Sequence, residues 1–394
     1  MRRVLLISNT LEGGAGKACY RLFCALEERD DLEVKLLYLY GESPATSNII
    51  SFYDKKRELF LRQLLSEPFR YLRDGFSFQG NRKYRSPRSI HKLHRHPLVS
   101  WADVINLHWV PDFIDYRTFF SKVATPVVWT LHDMLPFSGG YHYETEIVLR
   151  NELLESKISS FKRCYLENAK VSIISPSKWL LKHSMESLPF RAKRHYHIHN
   201  ALNLDVFQQL NRAFSRQCLG LPRENKIIVF SADNITSERK GVPILLEALQ
   251  NIGHNNYTLI SVGKGAIPYE GKNNYMHLGQ LRDEMSLAIL YSAADVSVVP
   301  SIEDNSPNTV IESLACGCPV VAFNVGGISE FVDGKSNGVL VPNINSQELA
   351  TGIIKALANQ YSRDSIRSEM AVRISQTNIA QQYCSVFHEV LRSK

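Results

Sequence analysis

Residues 301 to 323, SIEDNSPNTVIESLACGCPVVAF, gather three acids (Glu303, Asp304 and Glu312), a Ser306-Pro307 pair and the triplet Cys316-Gly317-Cys318. Serine followed by proline is how a helix begins. Ser306 is placed to cap it, and Pro307 suits the first helical position, where a missing N–H costs nothing. The free amides of that first turn favour an anion in front of them. Glu312 lies well over one turn further on, among Val310, Ile311, Leu314 and Ala315. A carboxylate on so apolar a helix needs a partner, and a sugar or ribose diol offers two hydroxyl donors. The two cysteines raise a metal reading, but their spacing is poor for a tetrahedral site and no second Cys/His pair stands nearby. Gly317 reads better as the stop of the helix and Cys316 as a small core residue.

Three other stretches carry chemistry. In PVVWTLHD, His132 and Asp133 directly follow an apolar run, and His108 follows VINL in the same way. The end of a buried strand is where ligands of open α/β sheets collect, which favours a functional role for His132. In TLEGGAGKACYRL a phosphate-binding P-loop fails, because Leu11 stands where its first glycine belongs and Ala18 where its Ser or Thr belongs. What remains is a Gly13-Gly14 turn that lets backbone N–H groups approach a ligand. HYHIHN, residues 195–200, sets His195, His197 and His199 on one face if extended, but no fourth zinc ligand is evident and a structural role fits better.

The elements that must hold these residues are legible as short runs rich in Val, Ile and Leu. They stand at 4–8, 34–40, 104–109, 126–132 and 171–177, and again at 227–232, 257–263, 296–301 and 319–323. Amphipathic stretches near 15–29, 148–167, 241–252, 284–294 and 307–316 separate them. This alternation, restarting after Asn200, predicts two doubly wound α/β domains with ligands at the carboxyl ends of parallel strands. At 394 residues the chain is too long for one core, and 44% hydrophobic with 22% charged residues is the balance of a soluble globular protein. No apolar run nears the roughly 18 residues of a membrane span, and Val4–Ile7 is too short for a signal peptide, so a cytoplasmic chain is expected. Seven scattered cysteines suit a reducing compartment. The net charge of +7 is uneven. Between residues 55 and 95, cations such as Arg62, Arg70, Arg73 and Arg82 alternate with Phe60, Leu64, Phe69 and Phe76. That segment reads either as a surface for anionic phospholipid or as a solvated helix face and loop. No nucleic-acid-binding module is recognised.

The motifs ERKGVPILLEAL, VGKG, HLGQL and SIEDN through VLVP, over about 225–342, resemble the retaining GT-B glycosyltransferases of family GT4. The likeness is nearest to bacterial enzymes of lipopolysaccharide, O-antigen or capsular polysaccharide assembly. LEGGAGKACYRL and NLHW with PVVWTLHDMLPFSGGYHY extend it more loosely into the first half. The resemblance implies two doubly wound, Rossmann-like domains facing a central cleft: an acceptor-side domain over 1–205 and a nucleotide-sugar domain over 206–375. The last helix, 376–394, would pack back on the first domain. The family's acid–seven–acid motif falls on Asp304 and Glu312, with Glu312 on the nucleotide ribose. Glu303, Asn305, Ser306, Pro307, Asn308 and Thr309 would meet the donor hexose and diphosphate. The family usually has glutamate at the first acid, so either Asp304 or Glu303 makes the sugar contact. Lys240 matches a lysine that holds the diphosphate, and Arg239 stands in for an arginine the family carries earlier. His132 matches a histidine near the sugar, Gly13-Gly14 the loop beside the diphosphate, and Gly326-Gly327 with Glu330 a later turn.

On this resemblance the catalytic set is His132, Lys240, Asp304 and Glu312. The reaction is transfer of a hexose from a nucleotide-diphosphate sugar, UDP- or GDP-linked, to a glycan or lipid-linked glycan with retention of configuration. No metal and no cofactor beyond the donor is expected, in keeping with the lack of an Asp-x-Asp element in the sequence. A sugar-nucleotide epimerase or hydrolase, or a non-catalytic sugar-nucleotide-binding protein, are the alternatives on the same scaffold.

Overall fold

The apolar runs form parallel strands because a sheet covered on both faces asks for continuous Val, Ile and Leu rather than alternation. The computed structural model describes residues 1–41, 46–53, 84–146, 151–253, 257–271 and 273–392. The basic segment's Arg62, Arg70, Arg73 and Arg82 lie outside the described residues. The chain divides into Met1–His199 with Ile379–Lys394, and Asn200–Asn378. The first boundary falls at 199/200 rather than 205/206 because Leu202 already belongs to the second unit's core and its N–H donates to Ile374 O at 3.0 Å.

In the first unit the strands are β1 (Arg2–Ser8), β2 (Leu32–Tyr38), β3 (Ile49–Ser51), β4 (Val104–Leu107), β5 (Val127–Thr130), β6 (Val171–Ser175) and β7 (Arg194–His197). They pair in parallel in the order β3-β2-β1-β4-β5-β6-β7. The second unit has β8 (Lys226–Asn234), β9 (Tyr257–Lys264), β10 (Asn274–His277), β11 (Val296–Val299), β12 (Val320–Phe323) and β13 (Gly338–Val341). Their order is β10-β9-β8-β11-β12-β13, again all parallel. Both sheets are therefore doubly wound, as expected, and the winding reverses between β1 and β4 and between β8 and β11. The short strands β3, β7, β10 and β13 lie at or near sheet edges and carry the weaker apolar signal.

Helix Gln376–Arg392 closes the first unit's face. Its Tyr383 is buried, and the phenol lies 3.1 Å from Thr130 Oγ1 at the end of β5. Arg29 Nη1 donates to Gln381 Oε1 at 2.8 Å, and Arg194 to Glu389 at 3.1 Å. Truncating a buried aromatic removes both its transfer energy and its packing. Tyr383→Ala should therefore cost about 3–5 kcal/mol in urea unfolding, and Tyr383→Phe, which loses only the hydroxyl's hydrogen bond, about 1 kcal/mol.

Candidate functional site

In the second unit the loops after β8 and β11 meet at the switch point. The β8 loop ends in a 3-10 turn, Glu238–Lys240, and Gly241 with φ +68°. Only glycine fits there, because a Cβ would lie 1.9 Å from Pro300 O. Arg239 locks the two loops: its carbonyl accepts from Ile302 N at 2.9 Å, and its Nη1 donates to Glu303 O at 2.7 Å. From the β11 loop the carboxylate of Asp304, only 6% exposed, accepts from Lys240 Nζ at 2.7 Å and from Ser301 Oγ at 3.3 Å, with Arg239 Nη1 at 3.2 Å. Burial works against its charge, but Lys240 and Arg239 outweigh it and hold the acid below the usual carboxylate range. A third loop presses from behind. Gly327 N donates to Asp304 O at 3.1 Å, and a Cβ on Gly326 (φ +56°) would sit 1.6 Å from that oxygen. The Gly326-Gly327 turn thus clamps the acid's backbone.

The helix that follows runs Asn308–Ala315, with Pro307 at the N-cap (φ −67°, ψ 121°) and no side-chain cap. The expected start one residue earlier, capped by Ser306, is corrected: extended ψ at Pro307 moves the helix on and leaves the serine side chain out of capping register. Ser306 Oγ and Thr309 Oγ1 are both buried without a hydrogen-bond partner. Two hydroxyls and the first-turn amides thus gather at one helix end, beside a loop held by Lys240 and Arg239. Such a set suits the oxygens of a phosphate. Glu312, 3% exposed, stands on the same helix, and burial with the Glu312 charge pushes the Tyr291 phenol up. Asn305 is buried and Glu303 half-buried in the loop. Gly317 (φ +69°) ends the helix between two fully buried cysteines whose thiols burial pushes up.

In the first unit the loop after β1 is tied to that after β4: Asn9 N donates to Trp109 O at 2.7 Å and Asn9 Nδ2 to Pro111 O at 2.6 Å. Helix Gly13–Glu27 starts at Gly13 (φ +69°) with no side-chain cap, and Gly14 is exposed. Gly16 is the glycine required by close approach, since a Cβ would lie 2.5 Å from Leu11 C.

His132 belongs to a relay that sequence spacing does not reveal. Asn106 Nδ2 lies 3.0 Å from both Val128 O and Thr130 Oγ1. A backbone carbonyl only accepts, so this atom is the amide nitrogen, and Asn106 Oδ1 accepts from His108 Nε2 at 3.0 Å. Burial keeps His108 neutral, its pKa well below the ordinary value. Its Nδ1 is then a lone pair, and His132 Nε2, 3.0 Å away, donates to it. Burial pushes His132 down to about 4, against a small opposing pull from Asp133. His132 is therefore neutral with Nδ1 as its accepting nitrogen. Asp133 is held by Trp109 Nε1 (3.0 Å), Leu135 N (2.9 Å) and His142 Nδ1 (2.6 Å), and buried Lys162 donates to Leu135 O and Ser138 O below. In HYHIHN, His195 has both ring nitrogens engaged, with Ser184 Oγ at 3.1 Å and Phe190 O at 3.0 Å, and His199 Nδ1 bonds Pro176 O at 3.0 Å.

Two doubly wound parallel-sheet units, the second with two cations on a buried acid at its switch point, define a GT-B type of α/β protein. Residues 225–359, within the second unit, match the family described as Glycosyl transferases group 1. A lipopolysaccharide 1,2-N-acetylglucosaminetransferase of Salmonella typhimurium is 25% identical over 328 residues, 71% of this chain and 83% of that protein. Other curated relatives match over shorter stretches, and the chain spans about half of their length or less. Sucrose-phosphate synthase from Thermosynechococcus elongatus has the same fold, with TM-score 0.72 at 19% identity over 100% of both chains. So does Anabaena HepE in complex with UDP-glucose, with TM-score 0.64 at 19% identity and 100% coverage of both.

Two outcomes follow from the electrostatics. Asp304→Asn leaves Lys240 and Arg239 without their carboxylate and should cost roughly 3 kcal/mol in denaturant unfolding, low in the range for buried pairs because both cations keep some contact with water. For His132 the folded pKa, about 4, lies below the unfolded value near 6.5, so the unfolded chain binds more protons between them. Stability should therefore fall as pH drops from about 6.5 toward about 4, and His132→Gln should flatten that slope in pH-dependent melts.

Proposed function

We propose that this chain is a retaining, metal-independent glycosyltransferase that moves a hexose from a nucleotide-diphosphate sugar to a glycan or lipid-linked glycan. The observation that carries the reading is the cluster around Lys240: two cations on one acid, and two unpartnered hydroxyls at a helix N-terminus, within the residues that match glycosyl transferases group 1. Similar proteins support the substrate classes, since one structural neighbour holds UDP-glucose and one relative is a lipopolysaccharide N-acetylglucosaminetransferase. A UDP- or GDP-linked donor, bacterial surface polysaccharide as the product, and no cofactor beyond the donor complete the proposal. The chain would work in the cytoplasm, with segment 55–95 against the anionic inner face of the membrane. Among the described residues no helix is long and apolar enough to cross a membrane.

In this reaction the anomeric C–O bond to the diphosphate breaks and its electron pair leaves on the diphosphate oxygen. Lys240 Nζ, the amides of Asn308 and Thr309, and the Ser306 and Thr309 hydroxyls receive that growing charge. The acceptor oxygen bonds the anomeric carbon on the same face, and its proton passes to the departing diphosphate oxygen. Glu312 takes the ribose hydroxyls. Asp304 acts mainly by holding Lys240 in place, and its remaining capacity, or Glu303, meets the sugar. In the first unit the neutral His132 can accept a hydrogen bond at Nδ1, and the Gly13-Gly14 amides can donate to an anion.

Lys240→Ala and Glu312→Ala should each lower kcat/KM by at least about 100-fold with the circular dichroism spectrum unchanged, assayed with radiolabelled UDP- and GDP-sugars on membrane-extract acceptors. Wild-type turnover in either variant would sink the assignment. Label that remains on an altered or hydrolysed sugar nucleotide would point to an epimerase or hydrolase. Donor binding by calorimetry without transfer would point to a binding protein.

A further inference from the structure

Away from both switch points, the first unit has a cavity of about 300 Å³ walled by segment 88–92, the 3-10 turn Leu93–Arg95 and helix Tyr116–Lys122. Its lining carries five cations, Arg88, Lys92, Arg95, Arg117 and Lys122, against one acid, Asp115, a formal excess of four positive charges. Asp115 is committed to the backbone: Oδ1 accepts from Thr118 N at 2.8 Å and Oδ2 from Ser89 N at 3.2 Å. Arg88 lies over the Phe161 ring, 5.8 Å from its centre. His94 also lines the cavity, and both its ring nitrogens are buried without a hydrogen-bond partner.

A neutral imidazole always presents one N–H, and leaving that donor buried and unmade is costly. Burial first, then the charges of Lys122 and Arg95, depress the His94 pKa, so the imidazole sits in a field that repels its own protonation. An oxyanion among these groups would satisfy the N–H and offset the field at once. We infer that this cavity binds a phosphate monoester, at an anion site separate from the charge cluster around Lys240. The group's source is either a lipid headgroup or a soluble phosphorylated molecule, and the chemistry of recognition is the same for both.

The test uses the full chain with ¹⁵N-labelled histidine. Inorganic phosphate should move the His94 ring signals saturably and raise the His94 pKa, because the bound anion favours the imidazolium. Arg95→Glu/Lys122→Glu should weaken that response by at least about tenfold at an unchanged melting temperature. If the charge reversal lowers the melting temperature, Arg95→Gln/Lys122→Gln gives the same readout with less perturbation. Sedimentation with phosphatidate and phosphatidylcholine vesicles separates the sources. Phosphatidate-selective binding lost in the double variant assigns a lipid headgroup, and a phosphate response without vesicle binding assigns a soluble ligand. His94 signals that stay fixed to tens of millimolar phosphate, with no variant-sensitive vesicle binding, would overturn the inference. So would a phosphate response equal in wild type and variant, since the anion would then bind elsewhere. None of these outcomes depends on transferase activity.

Discussion

The second unit's site is organised by one buried carboxylate. Asp304 carries its charge at 6% exposure only because Lys240 and Arg239 arrive from a different loop. An ion of that kind is stable in place when both its charge and its backbone are fixed, and here both are. The 3-10 turn that delivers the cations packs so closely on Pro300 O that Gly241 admits no Cβ, and Gly326 packs closer still on Asp304 O. Three loops are thus held to about hydrogen-bond precision by one charge cluster and two missing side chains. The helix N-terminus at Asn308 is aimed by the same constraint, since it starts four residues beyond the clamped acid.

That arrangement explains which parts of the site were legible in the sequence. Strands β4, β5, β11 and β12 were plain because burial on both faces leaves runs of Val and Ile, whereas the close approaches that require Gly16 and Gly241 were not. The order of strands, which puts Lys240 and Asp304 on adjacent loops, was not legible, because the right-handed crossover rule fixes the hand of each connection and not the order. The helix start was misread by one residue because Ser-Pro is a valid beginning in isolation. Whether proline stands at the cap or inside it depends on a ψ angle that the loop fixes, and the loop is fixed by Asp304. The hydroxyl of Ser306, read as a cap, is available to a ligand instead.

The histidine relay was invisible for a different reason. Its members, Asn106, His108, Thr130 and His132, lie on and after two neighbouring strands, and nothing in their spacing distinguishes them from core polar residues. It is the register of β4 on β5, Asn106 opposite Val128, that puts the amide within reach of a carbonyl and so fixes its orientation. From that single acceptor, proton positions propagate through two imidazoles. The domain boundary was displaced similarly, by the backbone bond from Leu202 to Ile374, a contact between distant parts of the sequence.

The two anion-directed features obey opposite electrostatic rules. Around Lys240 the acid is buried and the two cations are half-buried, so the charges are nearly balanced: both cations share Asp304, and the surplus of one charge is joined by neutral donors, amides and hydroxyls. A buried site cannot hold several bare cations without a partner, because each would lose several kcal/mol of hydration. In the cavity beside His94 the lysines and arginines are largely exposed, water screens them, and an excess of four charges is tolerated. A balanced site discriminates by geometry, because the fixed donors only suit oxygens at set positions. An unbalanced one attracts by charge and selects weakly. The first design suits a leaving group that must be met in one orientation as its bond breaks, and the second suits an anion that only has to be held.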